Sequence, residues 1–277
     1  MSFDIYALVT DRIIQQLESG VIPWQKPWTG LQSGAYSGTT GKPYSLLNQM
    51  ILGKPGAYFT FNEATKRGGK IRKGEKSSMI VFWKQVKVSE TDPATGELKE
   101  RIVPMLRYFN VFHQDQIDGF TINAPAPVEH EPIAEAEEII KHYTTRENLT
   151  IQHQRGNEAF YSPLRDCIVL PLMEQFPELA EYYSTAFHEM THSTGHKSRL
   201  NRLKTTAHFG NEDYSKEELT AEMGAAALVN YTGIESRKTL KNSAAYVQSW
   251  LKVLKNDKRL IVGASAAAQK AVDFILA

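Results

Sequence analysis

The sequence predicts an α+β protein in which a small mixed N-terminal domain is followed by a second domain with a small sheet and long helices. Apolar side chains recur at helical spacing over residues 4–18, and Gly20 ends that predicted helix. Two β-rich runs follow, at residues 78–88 and 106–111. Further along, three short apolar runs predict strands ahead of a long helix, at residues 151–154, 159–162, 168–170 and 177–193.

A proline-rich stretch divides the chain. Residues 123–132 contain three prolines and few large apolar side chains, as expected of an extended linker, so we predict domains at residues 1–122 and 133–277. Charge divides at nearly the same place: residues 1–125 contain 15 Lys and Arg against 11 Asp and Glu, whereas residues 126–277 contain 17 against 20. A basic half beside an acidic half predicts two modules with different partners.

Composition also restricts the cellular compartment. Cys167 is the one cysteine and lies in an apolar run, so no intrachain disulfide forms and we expect a buried thiol in a reducing compartment. No run approaches the roughly 18 apolar residues of a membrane helix. The amino terminus lacks the basic and apolar segments of a signal peptide. We therefore expect a cytoplasmic location and no membrane partner.

The motif with the clearest chemistry is His188-Glu189-Met190-Thr191-His192, which has the pattern H-E-x-x-H. Positions i and i+4 share one face of a helix, so His188 and His192 can both bind one metal ion. Glu189 can lie beside the attacking water and act as general base. The alternative interpretation is a surface helix with two solvated histidines.

A catalytic metal of this kind needs a third protein ligand. The three-histidine pattern H-E-x-x-H-x-x-G-x-x-H fails, because its last position is Ser198; His196 and His208 are weaker candidates. Carboxylates are offered by Glu218 and Glu222, which are spaced i, i+4 on a predicted helix. We assign Glu218 as the ligand, with Glu222 either orienting a histidine or taking its place. One structural role competes, because Ser215-x-x-Glu218 also fits a helix capping box.

The basic half predicts a surface for nucleic acid. A glycine-rich basic run spans residues 66–76, but Glu75 follows Gly74 where a Walker A loop needs lysine, so a nucleotide-binding P-loop is excluded. Cations and aromatic faces together hold single strands without sequence preference. Two tryptophans of residues 22–28 either anchor a loop on a core or stack on bases. A solvated basic face is the alternative to DNA binding by Trp24, Lys26, Trp28, Lys66, Arg67, Lys70, Arg72, Lys73 and Lys76.

Taken together, these motifs identify a family resemblance. The chain resembles the ArdC-type antirestriction proteins, whose N-terminal region is shared with TraC-type primases. The resemblance depends on six segments, at residues 22–28, 41–44, 69–76, 107–112, 188–196 and 217–222. It implies a single-stranded-DNA-binding domain joined to a zincin-like metallopeptidase domain that protects incoming DNA from restriction.

By position, the resemblance makes His188, His192 and Glu218 the metal ligands and Glu189 the catalytic acid and base. The implied ion is divalent, with Zn²⁺ expected and Mn²⁺ a second option because histidines and a carboxylate suit both. The implied partners are single-stranded DNA and a protein substrate such as a host restriction component.

Two functional hypotheses follow. In the first, the protein is a zinc-dependent peptidase attached to a module for single-stranded DNA. In the second, DNA binding alone shields the strand, and the zincin-like half is a scaffold without activity. The hypotheses differ in whether Glu189 is needed for protection.

Overall fold

The structure, a computed structural model, describes residues 4–25, 34–91, 98–119, 131–203, 212–234 and 243–277. Each half of the chain contains both helices and strands, so the predicted α+β class is confirmed. Within these ranges, no helix has the length and apolar character needed to cross a bilayer. Most of the predicted linker lies outside the described residues, as do residues 92–97 between strands of the N-terminal half.

The described helices match the helical patterns closely. Asp4 caps the first of them, because its carboxylate accepts hydrogen bonds from the backbone N–H groups of Tyr6 and Ala7. One prediction is wrong in detail: the long helix begins at Leu179, so Pro177 lies before its first turn. The bounds are α1 Ile5–Glu18, α2 Leu46–Leu52, α3 Phe61–Lys66, α4 Pro132–Glu147, α5 Leu179–Ser193, α6 Glu212–Thr232, α7 Ser243–Asn256 and α8 Leu260–Leu276.

The described strands form two main sheets and one short pair. The N-terminal sheet has the order β1-β2-β5-β4, β3 pairs with β6, and the C-terminal sheet has the order β7-β9-β8. Their bounds are β1 Ala35–Ser37, β2 Gly56–Phe59, β3 Lys70–Ile71, β4 Ser78–Thr91, β5 Leu98–His113, β6 Ile117–Asp118, β7 Thr150–Gln154, β8 Phe160–Ser162 and β9 Cys167–Pro171.

A long antiparallel ribbon dominates the N-terminal sheet. Strands β4 and β5 pair continuously from Ser78↔Val111 to Thr91↔Leu98. The side chain of Asn48 on α2 joins this ribbon to the helices, because it accepts from the backbone N–H of Val81 at 2.8 Å and donates to its carbonyl at 2.9 Å. The near end of the ribbon is therefore fixed to the body of the protein, and the far end extends from it.

The C-terminal sheet supports the long helix α5. Its central strand, β9, is buried along its whole length and pairs parallel with β7 and antiparallel with β8. A strand covered on both faces reads as a continuous apolar run, which is the pattern of residues 167–171. Tyr182 and Phe187 on α5 are buried in the same core as Ile168 of β9.

Helices from both halves of the chain share one hydrophobic core. Val9 and Ile13 of α1 lie in the same buried cluster as Leu254 of α7 and Ile261 of α8. Polar contacts join the halves as well: Thr10 Oγ1 donates to the Lys258 carbonyl at 2.6 Å. The two halves predicted from charge and proline content are thus packed against each other.

Candidate metal centre and nucleic-acid surface

Helix α5 brings the two motif histidines together. Their ring centroids are 4.7 Å apart, and the Nε2 atoms of His188 and His192 are separated by 3.1 Å. Residues one turn apart on a helix point to the same side, which is the reason the i, i+4 spacing produces this pair. The pair faces helix α6, the element that packs most extensively against α5.

Helix α6 adds a carboxylate to the pair. The oxygens of Glu218 lie 3.7 Å from His188 Nε2 and 3.6 Å from His192 Nε2. All three possible ligand atoms lie within 4.8 Å of one another. Donors at about 2.05 Å from a tetrahedral ion are about 3.3 Å apart, so this group fits one divalent cation.

The charges around the site favour a cation. Burial lowers the pKa of His188, but Glu218, Glu222 and Glu189 together raise it to about 9. The pKa of Glu222 is raised by its burial. Burial also raises the pKa of Glu218, but the neighbouring His188 and His192 hold it below its ordinary value. Three carboxylates around two imidazoles provide the negative charge that a divalent ion would neutralise.

A glycine allows α6 to approach α5 closely enough for this geometry. A Cβ atom added at Gly224 would lie 2.6 Å from the side chain of Thr191 on α5. Thr191 is fully buried, and its hydroxyl donates to the carbonyl of Phe187 at 2.7 Å. Glycine at position 224 therefore has a direct structural reason: it lets α6 approach α5 closely enough for Glu218 to reach the two histidines.

The carboxylate that orients a histidine is Glu217, which the sequence analysis missed. Glu217 Oε1 lies 3.0 Å from His192 Nδ1, and Arg202 clamps the carboxylate with contacts of 2.7 and 2.9 Å. Arg202 also donates to Thr194 Oγ1 at 3.0 Å and to the Thr191 carbonyl at 2.8 Å. A carboxylate on the second ring nitrogen sets the tautomer of a metal-binding histidine. The spacing pattern favoured the i, i+4 pair, so Glu217 had no sequence signal.

The capping role considered for Glu218 is wrong. Helix α6 begins at Glu212, one turn before Ser215, so neither Ser215 nor Glu218 stands at a helix start. Glu222 lies close enough to His188 to raise its pKa, whereas the carboxylate within hydrogen-bond distance of His192 Nδ1 belongs to Glu217.

A cleft of about 610 Å³ opens over these groups. Its walls come from α5, from the start of α6 and from residues 159–163 around strand β8. Glu189 lines the cleft next to the histidines and is itself buried. The centre is thus a concave site with two imidazoles, one adjacent carboxylate and a further glutamate directed into it.

The other histidine candidates lie apart from this group. Nδ1 of His196 is 2.7 Å from Ser198 Oγ and 3.9 Å from Asp166. Asp166 pairs in turn with the nearly buried guanidinium of Arg199. His196 therefore belongs to a neighbouring polar cluster, and His208 lies outside the described residues.

The predicted DNA-binding residues divide into three groups. Trp24 is 3% exposed and its ring packs edge-on against Trp250 at 5.2 Å, so the prediction of base stacking there is wrong and the anchoring alternative holds. Lys26 and Trp28 lie outside the described residues. The six cations of the basic segment are exposed, namely Lys66, Arg67, Lys70, Arg72, Lys73 and Lys76.

Two of these cations have partners. Arg72 contacts Glu75 at 2.9 Å and Asp118 at 3.6 Å, and the guanidinium of Arg67 lies 5.5 Å from the ring centre of Phe59. Exposed pairs of this kind contribute little to stability, so the segment stays available to a polyanion.

Large apolar side chains are exposed on the β4–β5 ribbon, and the sequence analysis did not select them. Phe82 is 44% exposed, Trp83 49%, Tyr108 41% and Phe109 48%. Strand alternation within residues 78–88 and 106–111 was the signal that could have found them, because it places part of each run on an outer face.

Comparison with known proteins finds a matching family for each half of the chain. Residues 3–112 match the family described as the N-terminal domain of anti-restriction factor ArdC, and residues 134–268 match the zincin-like metallopeptidase family. The metal-free crystal structure of antirestriction protein ArdC from plasmid R388 is 36% identical, with a TM-score of 0.75 over 99% of this chain and 97% of that chain. This chain belongs to the ArdC antirestriction family.

Two further relatives extend the comparison. The Mn(II)-bound structure of the R388 protein is 35% identical, with a TM-score of 0.77 over 99% of this chain and 97% of that one. A DNA primase TraC from Escherichia coli is 36% identical, and the alignment covers 98% of this chain but 20% of the primase. The chain thus spans about a fifth of that primase. The zincin-like domain and the Mn(II)-bound relative indicate a divalent metal for this family.

Proposed function

We propose that this protein protects incoming DNA from host restriction by binding single-stranded DNA and hydrolysing a protein encountered there. One observation carries the proposal: His188, His192 and Glu218 surround a single point in a cleft, with Glu189 directed into the same cleft. The substrate class we propose is a protein bound to the DNA, such as a component of the restriction machinery. Zn²⁺ is the proposed ion, with Mn²⁺ the alternative.

In the proposed mechanism His188, His192 and Glu218 would hold the metal, which would supply a Lewis acid for the scissile carbonyl and for the attacking water. Glu189 takes a proton from the water that attacks the carbonyl carbon. It then passes this proton to the amide nitrogen as the C–N bond breaks. Glu217 keeps the His192 imidazole in one tautomer, and Arg202 keeps Glu217 charged.

The edge of the C-terminal sheet supports a peptide substrate. Strand β8 borders the cleft, and among the described residues it pairs with β9 alone. An extended peptide can add to such an edge through backbone hydrogen bonds. That arrangement would hold a peptide bond over the metal centre, which favours a peptidase over a hydrolase of small molecules.

The DNA-binding part of the proposal depends on the basic segment at residues 66–76 and on the family. Six exposed cations lie within eleven residues there, on the half of the chain that matches the ArdC N-terminal domain. Neutralising phosphates with exposed Lys and Arg is the general source of non-specific affinity for DNA.

Replacing the carboxylate of Glu189 with an amide tests whether the protein protects DNA by hydrolysis. We expect Glu189→Gln to keep metal and DNA binding but to lower hydrolysis about 10²- to 10⁴-fold and to abolish protection of transferred DNA in cells. Glu181→Gln, two turns earlier on α5, is the matched control. Full protection by Glu189→Gln would contradict this mechanism and favour a protein that shields DNA by binding alone.

A metal assay tests the ligand set. We expect purified wild-type protein to contain about one divalent ion per chain and His188→Ala to contain none, as measured by elemental analysis. His196→Ala, which removes a histidine of the neighbouring cluster, should keep the ion. Loss of metal in His196→Ala together with retention in His188→Ala would overturn the assignment.

A further inference from the structure

Both faces of the β4–β5 ribbon carry exposed rings, but the faces differ in charge: Trp83 and Tyr108 lie on the face where Lys87 pairs with Glu100, and Phe82 and Phe109 lie on the other. Residues paired across an antiparallel ribbon share a face, as do alternate residues along each strand. The pairs Ile80↔Phe109, Phe82↔Arg107 and Lys84↔Met105 therefore lie on one face. We call this the aromatic face, and its exposed members are Phe82, Lys84, Arg101, Met105, Arg107 and Phe109.

A row of rings runs from the core to the aromatic face. The rings of Tyr58 and Tyr44 are 6.4 Å apart, those of Tyr44 and Phe82 are 6.2 Å apart, and those of Phe82 and Phe109 are 6.1 Å apart. Tyr58 and Tyr44 are buried with Ile80 and Val111, whereas Phe82 and Phe109 are 44% and 48% exposed. Phe82 and Phe109 thus pack against buried side chains that hold them in position, while nearly half of the surface of each stays exposed to solvent.

Cations predominate on the aromatic face. Over residues 78–88 and 101–111, the register places Lys84, Arg101 and Arg107 on this face and no Asp or Glu, and the next pair outward, Glu90↔Lys99, adds one charge of each sign. On the opposite face, Lys87 is matched by Glu100 at 3.4 Å. Exposed aromatic rings with cations beside them suit a polyanion that carries flat rings of its own.

We propose that the aromatic face is the base-stacking site for single-stranded DNA, with bases on Phe82 and Phe109 and phosphates against Lys84 and Arg107. This inference rests on the single-stranded DNA binding in the proposed function and locates it. Duplex DNA keeps its bases stacked inside, so it offers no free ring faces. A second copy of the chain would bring three cations against three others, which disfavours a symmetric dimer through this face.

The closing experiment compares two oligonucleotides with the full chain. Fluorescence anisotropy measures binding of a labelled oligo-dT and of an abasic strand of equal length. We expect the wild type to bind oligo-dT more tightly than the abasic strand. The double variant Phe82→Leu/Phe109→Leu should bind oligo-dT about tenfold or more weakly and no longer distinguish the two strands.

Matched controls come from the opposite face of the same ribbon. Trp83→Leu removes an aromatic ring that is 49% exposed there, and we expect it to leave oligo-dT affinity within about twofold. A second pair avoids any change in packing: Arg107→Glu should weaken binding and reduce its salt dependence, whereas Lys87→Glu should have a much smaller effect.

The outcomes separate the inference from the proposed function. Failure of the wild type to bind oligo-dT would overturn both. Tight wild-type binding that both the double Phe variant and Arg107→Glu leave unchanged would overturn the aromatic face alone. A concentration-dependent dimer that the double variant abolishes, seen by analytical ultracentrifugation, would also overturn it and assign the face to self-association.

Discussion

At the candidate metal centre a motif histidine is held in place by neighbouring side chains, whereas on the β4–β5 ribbon the rings are exposed to solvent. His192 is fixed by Glu217, which is clamped by Arg202. By contrast, Phe82 and Phe109 have nearly half of their surface open. A metal ion needs ligands at set distances before it arrives, whereas a flexible nucleic-acid strand can adapt its own shape to exposed rings.

The metal centre and the β4–β5 ribbon also depend on the rest of the chain in different ways. The metal centre requires α5 and α6 to approach within the contact that Gly224 and Thr191 allow. The ribbon requires only the register of two strands and a firm base at Asn48. Changes in packing between α5 and α6 should therefore damage the metal centre more than the ribbon.

Truncation gives the largest expected effect. We expect residues 1–122 alone to lack a cooperative unfolding transition, because α1 would lose the apolar contacts with α7 and α8 that bury Val9 and Ile13. Circular dichroism during thermal and urea unfolding measures this, with the full chain as reference. A sharp transition for the fragment would show that the N-terminal region is an independent domain.

Next in size is the effect of removing the charge that orients His192. We expect Glu217→Gln to lower metal affinity about 10- to 100-fold, because the histidine loses its fixed tautomer and Arg202 loses its partner. Competition with a chromophoric chelator measures the affinity, and Lys216→Gln on the same helix is the control. Equal affinities for Glu217→Gln and the wild type would exclude an orienting role.

A smaller, pH-dependent effect on folding stability is expected for Asp166, which lies beside the candidate metal centre. Burial raises the pKa of Asp166, but hydrogen bonds from Arg199 and Tyr161 hold it below its ordinary 3.8. A lowered pKa in the folded state adds stability above about pH 4 that is lost as the pH falls through the folded value. We expect Asp166→Asn to lower the free energy of unfolding by about 2 kcal/mol at pH 7.

Urea unfolding at pH 7 and at pH 3 tests that sign. The difference in free energy of unfolding between the wild type and Asp166→Asn should become smaller at pH 3, because the wild-type carboxylate becomes protonated. An equal difference in free energy of unfolding at both pH values would mean that the pairing of Asp166 with Arg199 contributes no charge-dependent stability.

The smallest effect belongs to single cations of the basic segment. We expect Lys73→Ala to weaken binding of oligo-dT a few-fold and to reduce the slope of log affinity against log salt by about 1. Lys141→Ala, exposed on α4 in the acidic half, should leave the slope unchanged. An unaltered slope in Lys73→Ala would remove this residue from the DNA path.

The accuracy of the sequence interpretation varied with how local the signal was. The i, i+4 spacing was enough to predict that His188 and His192 point to one place. Glu217 and the exposed rings of the ribbon were missed, because their roles depend on which neighbour each side chain meets. Trp24 was assigned to DNA because composition does not distinguish a buried ring from an exposed one.

By itself the sequence determined helices α1, α5 and α6, five of the described strands and the two motif histidines, because periodicity and spacing act within one turn or one strand. The tertiary structure decided which glutamate reaches His192, that Ser215 lies inside a helix, and that helices of both halves share a core. It also decided which rings and cations of the β4–β5 ribbon share a face. These choices are set by contacts between residues distant in sequence, where burial and close packing select one arrangement among several that local patterns allow.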